Sequence, residues 1–430
     1  MRHPLCCSLA ALAGLLITPA WAEPRPPAPD SPSPLTLQDA LQRAQAHNPR
    51  LASFPLQLQA AAARVEAAAL RPAPELSISS ENLGASGKGG RLSETDTTVT
   101  LAQVLEPRAQ RQRRVDAAAA AQPVATLART EAEQAVAAET RRRFVHLVAD
   151  QQRLEVAALA IRLADRTVAA VRRRVDAGRV PAVEQVRARM ARSRADIAHE
   201  HAEHELLSAR RRLAAMWGAA EPDFGVATAN LLQLPQTPDL ATMRAALDAN
   251  PELRRLAAEG RQREAEVRAA EAGAQVPLTL RGGIKRREAP DDLSLVVGLS
   301  MPLFGARQAA PGIAEARALH DQIPLETAAR RVELETRLFE RLQELRHAIT
   351  EASALRDDLL PQMDRVLADT EQAWREGRYS LLEWTSVQAQ RLQLERDLID
   401  AASEAHGYHI DIEQLIGRAL TPADHEEPTP

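Results

Sequence analysis

The sequence predicts a mainly α-helical protein in which long coiled-coil helical hairpins are combined with four β-strands per chain. Three observations predict this fold class. Strong helix formers, above all Ala, Leu, Arg and Glu, fill most of residues 109–218 and 313–417. Four short segments alternate apolar and polar residues, as strands do. The chain also repeats itself after about 200 residues, so each half should contain the same elements.

The repeat is visible as matched blocks in the same order. Both halves begin a helix with Asn-Pro, and both place Gly-Arg between two long helical segments. One Ala-rich block could arise by convergence, but several blocks at nearly constant spacing indicate duplication. The matched positions are Asn48-Pro49 with Asn250-Pro251, Leu76 with Leu278, Gly178-Arg179 with Gly377-Arg378, Glu184 with Glu383, and Gly218 with Gly417.

Proline-rich and polar stretches separate the predicted parts of the chain. Each repeat is predicted to contain a helix, a β-hairpin and a long helical hairpin. Residues 1–22 are predicted to form a signal peptide and residues 23–34 a Pro-rich segment. The first repeat covers 35–218, with a β-hairpin at 75–105 and a turn near 178, and a linker follows at 219–239. The second repeat covers 240–418, with a β-hairpin at 277–303 and a turn near 377, and residues 419–430 are predicted to form a disordered tail.

The N-terminus has the features of a cleaved export signal. A short basic start precedes an apolar stretch at 5–17, and Ala20 and Ala22 supply the small residues that a signal peptidase reads. No other run reaches the roughly 18 apolar residues that a spanning helix needs, which excludes an inner-membrane helical protein. Cys6 and Cys7 lie in this leader, so we expect no disulfide in the mature chain.

The predicted strands are apolar on one face and polar on the other. In the second half Leu278, Leu280 and Ile284 alternate with polar residues, and the run at 293–301 repeats the pattern. Four such strands cannot close a barrel, because membrane barrels start at about eight strands. We therefore expect an oligomer. Three copies would give a twelve-strand membrane β-barrel, and the long helices would continue its wall as a tube.

Charge and motif content exclude other classes of protein. The formal net charge is −4, and Arg is interleaved with Glu and Asp along the helices, which is unlike a nucleic-acid-binding surface. The sequence contains no phosphate-binding loop and no nucleophile elbow. We therefore expect neither an enzyme nor a cofactor.

The ordered, duplicated set of motifs resembles the TolC-type outer-membrane efflux protein family over essentially the whole mature chain. The shared motifs are the Asn-Pro helix starts, the two Gly-Arg turns, the Glu81-Asn82-Leu83-Gly84 strand end and the Gly298-Leu299-Ser300-Met301-Pro302-Leu303 run. The Glu81 to Gly84 run and the Pro302-Leu303-Phe304 segment are similar to the heavy-metal, CzcC-like branch. One departure is that only Phe304 lies beside a predicted strand, where membrane barrels usually carry aromatic girdles.

This resemblance implies a homotrimer in outer-membrane lipid, with an α-helical tunnel through the periplasm. It implies passive export of heavy-metal cations or other toxic compounds. The implied partners are a periplasmic adaptor (membrane fusion protein) and an inner-membrane resistance-nodulation-division pump, with no nucleic acid. The Gly-centred turns would form the periplasmic mouth and dock the adaptor, through Gly178, Arg179, Val180, Pro181, Gly377, Arg378, Tyr379 and Ser380.

Two acidic residues follow these turns at equivalent positions. In a trimer, Glu184 and Glu383 would each form a ring at a constriction, and such carboxylate rings favour cations. The alternative is that each is a first-turn glutamate favoured by the helix dipole. The sequence does not decide between the two interpretations.

A run rich in His and Glu between residues 199 and 205 offers metal-ligand side chains. On a helix His201, His204 and Glu205 share a face, with spacing for a loose site. A conduit should not hold its cargo tightly, and polar helix faces of this composition are common. The sequence therefore predicts no resident metal.

A soluble periplasmic coiled-coil scaffold or adaptor protein is the rival interpretation, because its helical hairpins would give much of the same pattern. The duplication and the four two-faced strands favour the channel. The sequence leaves open which metal or drug is exported, which pump and adaptor cooperate with the chain, which residues gate it and whether its N-terminus is modified.

Overall fold

The computed structural model describes residues 33–81, 95–287 and 291–420. Several sequence predictions fall partly or wholly outside these residues. They are the signal peptide at 1–22, most of the Pro-rich segment at 23–34, the hairpin loop after Glu81 and most of the tail at 419–430.

The described residues form long helices and one sheet, which confirms the predicted fold class. No helix in the described ranges is long and apolar enough to cross a membrane. The helices are α1 (Leu37–His47), α2 (Phe54–Ala69), α3 (Arg108–Asp176), α4 (Ala182–Ala214), α5 (Leu240–Ala246), α6 (Pro251–Gly273), α7 (Gly305–Ala354), α8 (Leu360–Arg375) and α9 (Leu381–Ile416). The strands are β1 (Glu75–Glu81), β2 (Asp96–Leu105), β3 (Leu278–Arg287) and β4 (Asp292–Ser300).

The two halves repeat the same order of elements. Helices α1 and α2, the β1–β2 pair, α3 and α4 correspond to α5 and α6, the β3–β4 pair, α7 with α8, and α9. Helix α3 has 69 residues, which makes it about 100 Å long at the rise of an α-helix. Its counterpart is interrupted by a π-helical turn at Leu355–Leu359. The helices are therefore rods that separate the sheet from the turns at the far end of each hairpin.

Leucines at helical spacing form the core of the second half. Leu334, Leu338, Leu342 and Leu345 of α7 are all nearly fully buried, because positions three and four apart share one helix face. Ile412 of α9 belongs to the same cluster. Burying a side chain of this size contributes about 1.5–3 kcal/mol relative to leaving it exposed.

The segment predicted as a linker at 219–239 packs against the first half. Phe224 is 1% exposed and belongs to the same cluster as Phe144 and Leu147 of α3. The backbone of this segment also pairs with the chain before α1, through a parallel bridge between Leu35 and Ala227. The segment therefore adds a layer to the first-half core.

A buried asparagine ties the start of each repeat to its end. Asn48 Nδ2 donates to the Met216 carbonyl oxygen, and Asn250 Nδ2 donates to the Leu415 carbonyl oxygen, both at 2.7 Å. The Oδ1 atom of each side chain accepts backbone N–H groups just after it, for instance from Leu253. An amide side chain can do this because it carries both donors and an acceptor. We call these two contacts the asparagine clasps.

Glycine at the end of each repeat lets the clasps close. Gly218 and Gly417 have φ of 76° and 73°, in the left-handed region that glycine favours. A Cβ atom at Gly417 would lie 2.9 Å from Pro251 Cδ, whereas one at Gly218 would lie 3.5 Å from Pro49 Cγ. The second repeat therefore closes more tightly around its Asn-Pro pair.

Substitutions at Asn250 should separate the two roles of the clasp. Asn250→Ala removes the hydrogen bond to the partly buried Leu415 carbonyl oxygen and leaves α6 without its side-chain cap, so we expect the free energy of unfolding to fall by about 2–4 kcal/mol. Asn250→Ser keeps a capping oxygen and should recover about 1 kcal/mol of this loss. Denaturant titration of the full chain, followed by circular dichroism, measures both changes.

The control for this experiment is Asn230→Ala. Asn230 is exposed and accepts a local hydrogen bond from the Leu232 backbone N–H, so its replacement should change stability by less than about 0.5 kcal/mol. An Asn250→Ala variant as stable as this control would contradict a stabilising role for the clasp.

Candidate functional site: the sheet and the paired turns

The two hairpins of the chain join into one antiparallel sheet with strand order β1-β2-β3-β4. The central pairing joins the two halves, and every residue of β2 from Asp96 to Leu105 lies opposite a residue of β3. Gly283 permits close approach there, because a Cβ atom at this position would lie 2.2 Å from the Val99 carbonyl oxygen. The duplicated halves therefore cooperate in a single surface.

One face of this sheet is apolar and open to solvent. The strand register brings residues of the same parity together, so that Ile78, Val99, Ile284 and Leu295 lie side by side across all four strands. Leu295 is 77% exposed. The other large apolar residues exposed on this face are Leu76, Leu101, Leu105, Leu280, Leu293, Val297 and Leu299. An exposed apolar surface of this extent requires a covering partner or lipid.

The opposite face of the sheet is polar and contains an ion-pair network. Lys285 of β3 reaches across β2, with its Nζ atom 2.7 Å from Asp96 Oδ2 and 3.2 Å from Glu81 Oε2. Ser77 and Thr100 lie on the same face, opposite each other. A sheet with one apolar and one charged face is suited to separate an apolar phase from water.

In the part of the chain that the structure describes, both edges of the sheet are open. Among the described strands, β1 pairs only with β2 and β4 only with β3. The outer backbone groups of β1 and β4 are thus available for pairing with another strand. Pairing between copies would satisfy these groups.

The two Gly-centred turns lie at the far ends of the helical hairpins. Gly178 and Gly377 have φ of 68° and 80°. After each glycine the next backbone N–H bonds back to the preceding helix, from Arg179 to the Arg174 oxygen and from Arg378 to the Ala373 oxygen, both at 2.8 Å. This is the geometry that closes a helix with a left-handed residue.

The next helix starts differently in the two turns. Pro181 precedes α4 with extended backbone, and Val180 before it is half-buried. Ser380 caps α9, and Tyr379 before it is 48% exposed. The turn residues predicted to dock an adaptor are therefore mostly accessible, and their docking role stays a prediction.

The two acidic residues after the turns have different local partners. Glu383 forms a capping box with Ser380, whose backbone N–H donates to it at 2.7 Å and whose hydroxyl donates at 2.8 Å. These hydrogen bonds hold the pKa of Glu383 below its ordinary value. Glu184 pairs with Arg187 at 3.3 Å. Helix capping thus accounts locally for Glu383, and the acidic rings stay a prediction.

A contact between the two hairpins lies next to these turns. Trp374 of α8 and Trp384 of α9 stack with ring centroids 4.4 Å apart, and both are nearly fully buried. Arg174 of α3 places its guanidinium 4.9 Å from the Trp374 ring centroid and donates a hydrogen bond to the Trp374 carbonyl oxygen. We call this contact the arginine–tryptophan contact. It fixes one hairpin against the other, and sequence patterns did not reveal it because its residues are about 200 positions apart.

The histidine-rich run on α4 does not converge into a metal site. Within the residues that the structure describes, no group of three or more His, Cys, Asp or Glu side chains is arranged to hold a metal ion. His201 and His204 lie on an exposed part of α4, and Glu205 pairs with Arg212 at 3.8 Å. These residues therefore belong to a polar helix surface.

A protein-family model and a known metal-resistance protein both match the sequence of this chain. The family model described as outer membrane efflux protein matches residues 40–219. The chain is 26% identical to the cobalt-zinc-cadmium resistance protein CzcC of Cupriavidus metallidurans, over 90% of this chain and 91% of that protein.

Solved structures share the fold of this chain at low sequence identity. CusC, studied in crystals for its folding and transmembrane channel formation, has a TM-score of 0.75 at 15% identity, covering 94% of this chain and 100% of CusC. The Campylobacter jejuni outer membrane channel CmeC has a TM-score of 0.71 at 13% identity, covering 89% and 85% of the two chains.

The arginine–tryptophan contact should limit local opening of the second hairpin. Arg174→Ala removes both the hydrogen bond and the cation–π contact, so backbone amides in residues 360–388 should exchange with deuterium several-fold faster. Arg172→Ala is the control, because Arg172 is exposed and has only a 3.8 Å ion pair with Asp176. Mass-spectrometric hydrogen exchange with equal rates in both variants would contradict the assignment.

Proposed function

We propose that this chain, whose residues 40–219 match the outer membrane efflux protein model, is the outer-membrane channel subunit of a tripartite efflux pump and a passive conduit for heavy-metal cations. The observation that carries this proposal is the open sheet with one exposed apolar face and one charged face. Such a sheet is stable in water only if its apolar face is covered, and lipid covers it without blocking the polar face.

The unpaired edges of β1 and β4 support assembly of several copies. In a membrane every backbone hydrogen-bonding group needs a partner, so open strand edges have to meet other edges. Three copies would join their edges into a closed twelve-strand wall whose polar face, with Lys285, Glu81 and Asp96, lines water. The helical rods would continue the bore into the periplasm. A soluble periplasmic scaffold would leave the apolar face without a role.

The turns at the far end of the rods suit a periplasmic mouth. Because an outer-membrane conduit has no energy source of its own, the driving force has to come from an inner-membrane pump. In this proposal a resistance-nodulation-division pump delivers the cargo, and a periplasmic adaptor contacts the turns around Gly178 and Gly377. The accessibility of Arg179, Arg378 and Tyr379 supports this placement.

The cargo class is proposed from the relative whose alignment covers most of both chains. CzcC is named for resistance to cobalt, zinc and cadmium, so we propose divalent cations of this kind as cargo. In a trimer, Glu184 and Glu383 would form the acidic rings near the mouth. Glutamate is ionised at neutral pH, and the hydrogen bonds from Ser380 lower the pKa of Glu383 further, which agrees with a negative ring.

Matched substitutions on adjacent residues of β1 test the membrane placement. Ile78 lies on the apolar face and Ser77 on the polar face, and both are exposed. An arginine on a lipid-facing position costs about 2–4 kcal/mol near the bilayer midplane, whereas one facing water costs little. In a strain lacking the gene, we expect wild type and Ser77→Arg to restore growth on Co²⁺, Zn²⁺ or Cd²⁺ and Ile78→Arg to fail, with several-fold less folded protein in the outer membrane.

The proposed placement is wrong if Ile78→Arg reaches the outer membrane as well as Ser77→Arg does. Osmotic-shock release of the wild-type protein into the soluble fraction would instead support the scaffold interpretation. Unchanged sensitivity to all three metals after gene deletion would remove the cargo assignment while leaving the channel assignment in place.

The turn glycines give a test of the mouth. Leucine at Gly178 or Gly377 has to adopt a left-handed backbone at a cost of about 1–2 kcal/mol and adds bulk at the tip. We expect either variant to lose efflux while trimers still form, as measured by metal sensitivity and by native mass spectrometry. Gly312→Leu is the control, because Gly312 lies within α7 with open space around it. Normal efflux in both turn variants would contradict the assignment.

A further inference from the structure

A groove of about 750 Å³ runs between the two hairpins near the turns. Helix α3 forms one wall, and α8 and α9 form the other. Trp374 and Trp384 lie in this wall, and the indole Nε1 of Trp384 has no hydrogen-bond partner among the described residues. The arginines that line the groove are Arg166, Arg173, Arg174, Arg179 and Arg375. We call it the arginine groove.

Most of this positive charge is not neutralised by other residues that the structure describes. Arg166, Arg173 and Arg179 are exposed, and none forms an ion pair with another described residue. Glu371 is the acidic residue among the lining side chains, and it pairs with Arg375. The groove therefore presents guanidinium groups whose donors are free for a ligand.

The charge of the groove that no described acidic residue neutralises belongs to the first hairpin, since Arg375 of the second hairpin pairs with Glu371. Between residues 161 and 195 the sequence has ten arginines and three acidic residues, whereas between 360 and 395 it has four arginines and six acidic residues. The chain as a whole carries a formal net charge of −4. Of the two hairpin tips, only that of the first carries an excess of arginine over acidic residues, although the two hairpins occupy equivalent places in the repeat.

The direction in which these arginines face matters for a channel that conducts cations. Arginines that faced the bore would raise the entry barrier for divalent cations, so the groove is better suited to face a partner than the cargo. The charge is carried by arginine throughout, and the planar guanidinium binds carboxylates through two parallel hydrogen bonds.

We propose that the arginine groove docks an acidic helical segment of the periplasmic adaptor, which places Glu or Asp side chains against Arg166, Arg173 and Arg179. This inference rests on the proposed function, and it adds the chemistry and position of the docking surface. The glycine turns then define the tip, while the groove beside them supplies charge complementarity. Such complementarity sets the specificity and the rate of association.

Charge reversal within one hairpin tests the proposal. Arg166→Glu/Arg173→Glu reverses the groove, and Arg189→Glu/Arg194→Glu is a matched control on α4, because these arginines are exposed, unpaired with other described residues and outside the groove. The probes are a fluorescein-labelled glutamate-rich helical peptide and a lysine-rich peptide of equal length. Fluorescence anisotropy measures their binding to the full chain in detergent.

We expect the groove variant to weaken binding of the acidic peptide by about tenfold or more and the control pair by less than about threefold. Wild-type affinity should fall as salt increases, and the lysine-rich peptide should not bind. The neutral variant Arg166→Gln/Arg173→Gln should lie between wild type and the reversed variant, which guards against misfolding as the cause.

Three results would overturn the proposal. They are equal weakening by both reversed pairs, no weakening by either pair, and loss of the oligomer in size-exclusion chromatography of the groove variant alone. The last result would assign the groove to the interface between copies. Single-channel conductance of the same preparations in planar bilayers tests the proposed function separately, because a protein that binds the peptide but does not conduct contradicts the channel and leaves the groove.

Discussion

The open edges and the exposed apolar face of the four-stranded sheet are the constraint on which the rest of the structure depends. Backbone groups at a strand edge and a continuous apolar surface are both unfavourable in water, and a single chain covers neither. Because β2 pairs with β3, both halves of the chain contribute strands to this one sheet. Its strands lead directly into α3 and α7, so any assembly that satisfies the sheet also positions the helical rods.

The asparagine clasps hold the start and the end of each repeat together. In each repeat the chain passes from its first helices to a pair of strands, then along a long helical segment to a turn, and back along a second long helix. Asn48 and Asn250 each join the start of a repeat to the backbone near its end. Because the clasp is made by a buried side chain with defined donors and acceptors, the two ends have little freedom to slip.

Sequence reasoning was successful where a local rule is strong. Alternation of apolar and polar residues placed the strands, and glycine followed by a helix-starting residue placed the turns at Gly178 and Gly377. The Ser380-x-x-Glu383 spacing is a capping-box signature, so the sequence already separates Glu383 from the equivalent Glu184, which follows Pro181 and pairs with Arg187. Contacts distant in sequence, such as Arg174 with Trp374 and the linker residue Phe224 with α3, carry no periodic pattern.

The unequal charge of the two hairpins has a consequence for symmetry. In the proposed three-chain channel the hairpins alternate around the mouth, so six tips of similar backbone shape face the periplasm. Their electrostatics repeat only three times, because one tip of each chain is rich in arginine and the other is weakly acidic. A partner built from six identical subunits would thus meet two chemically distinct kinds of binding site, and its subunits would bind the channel with two different affinities.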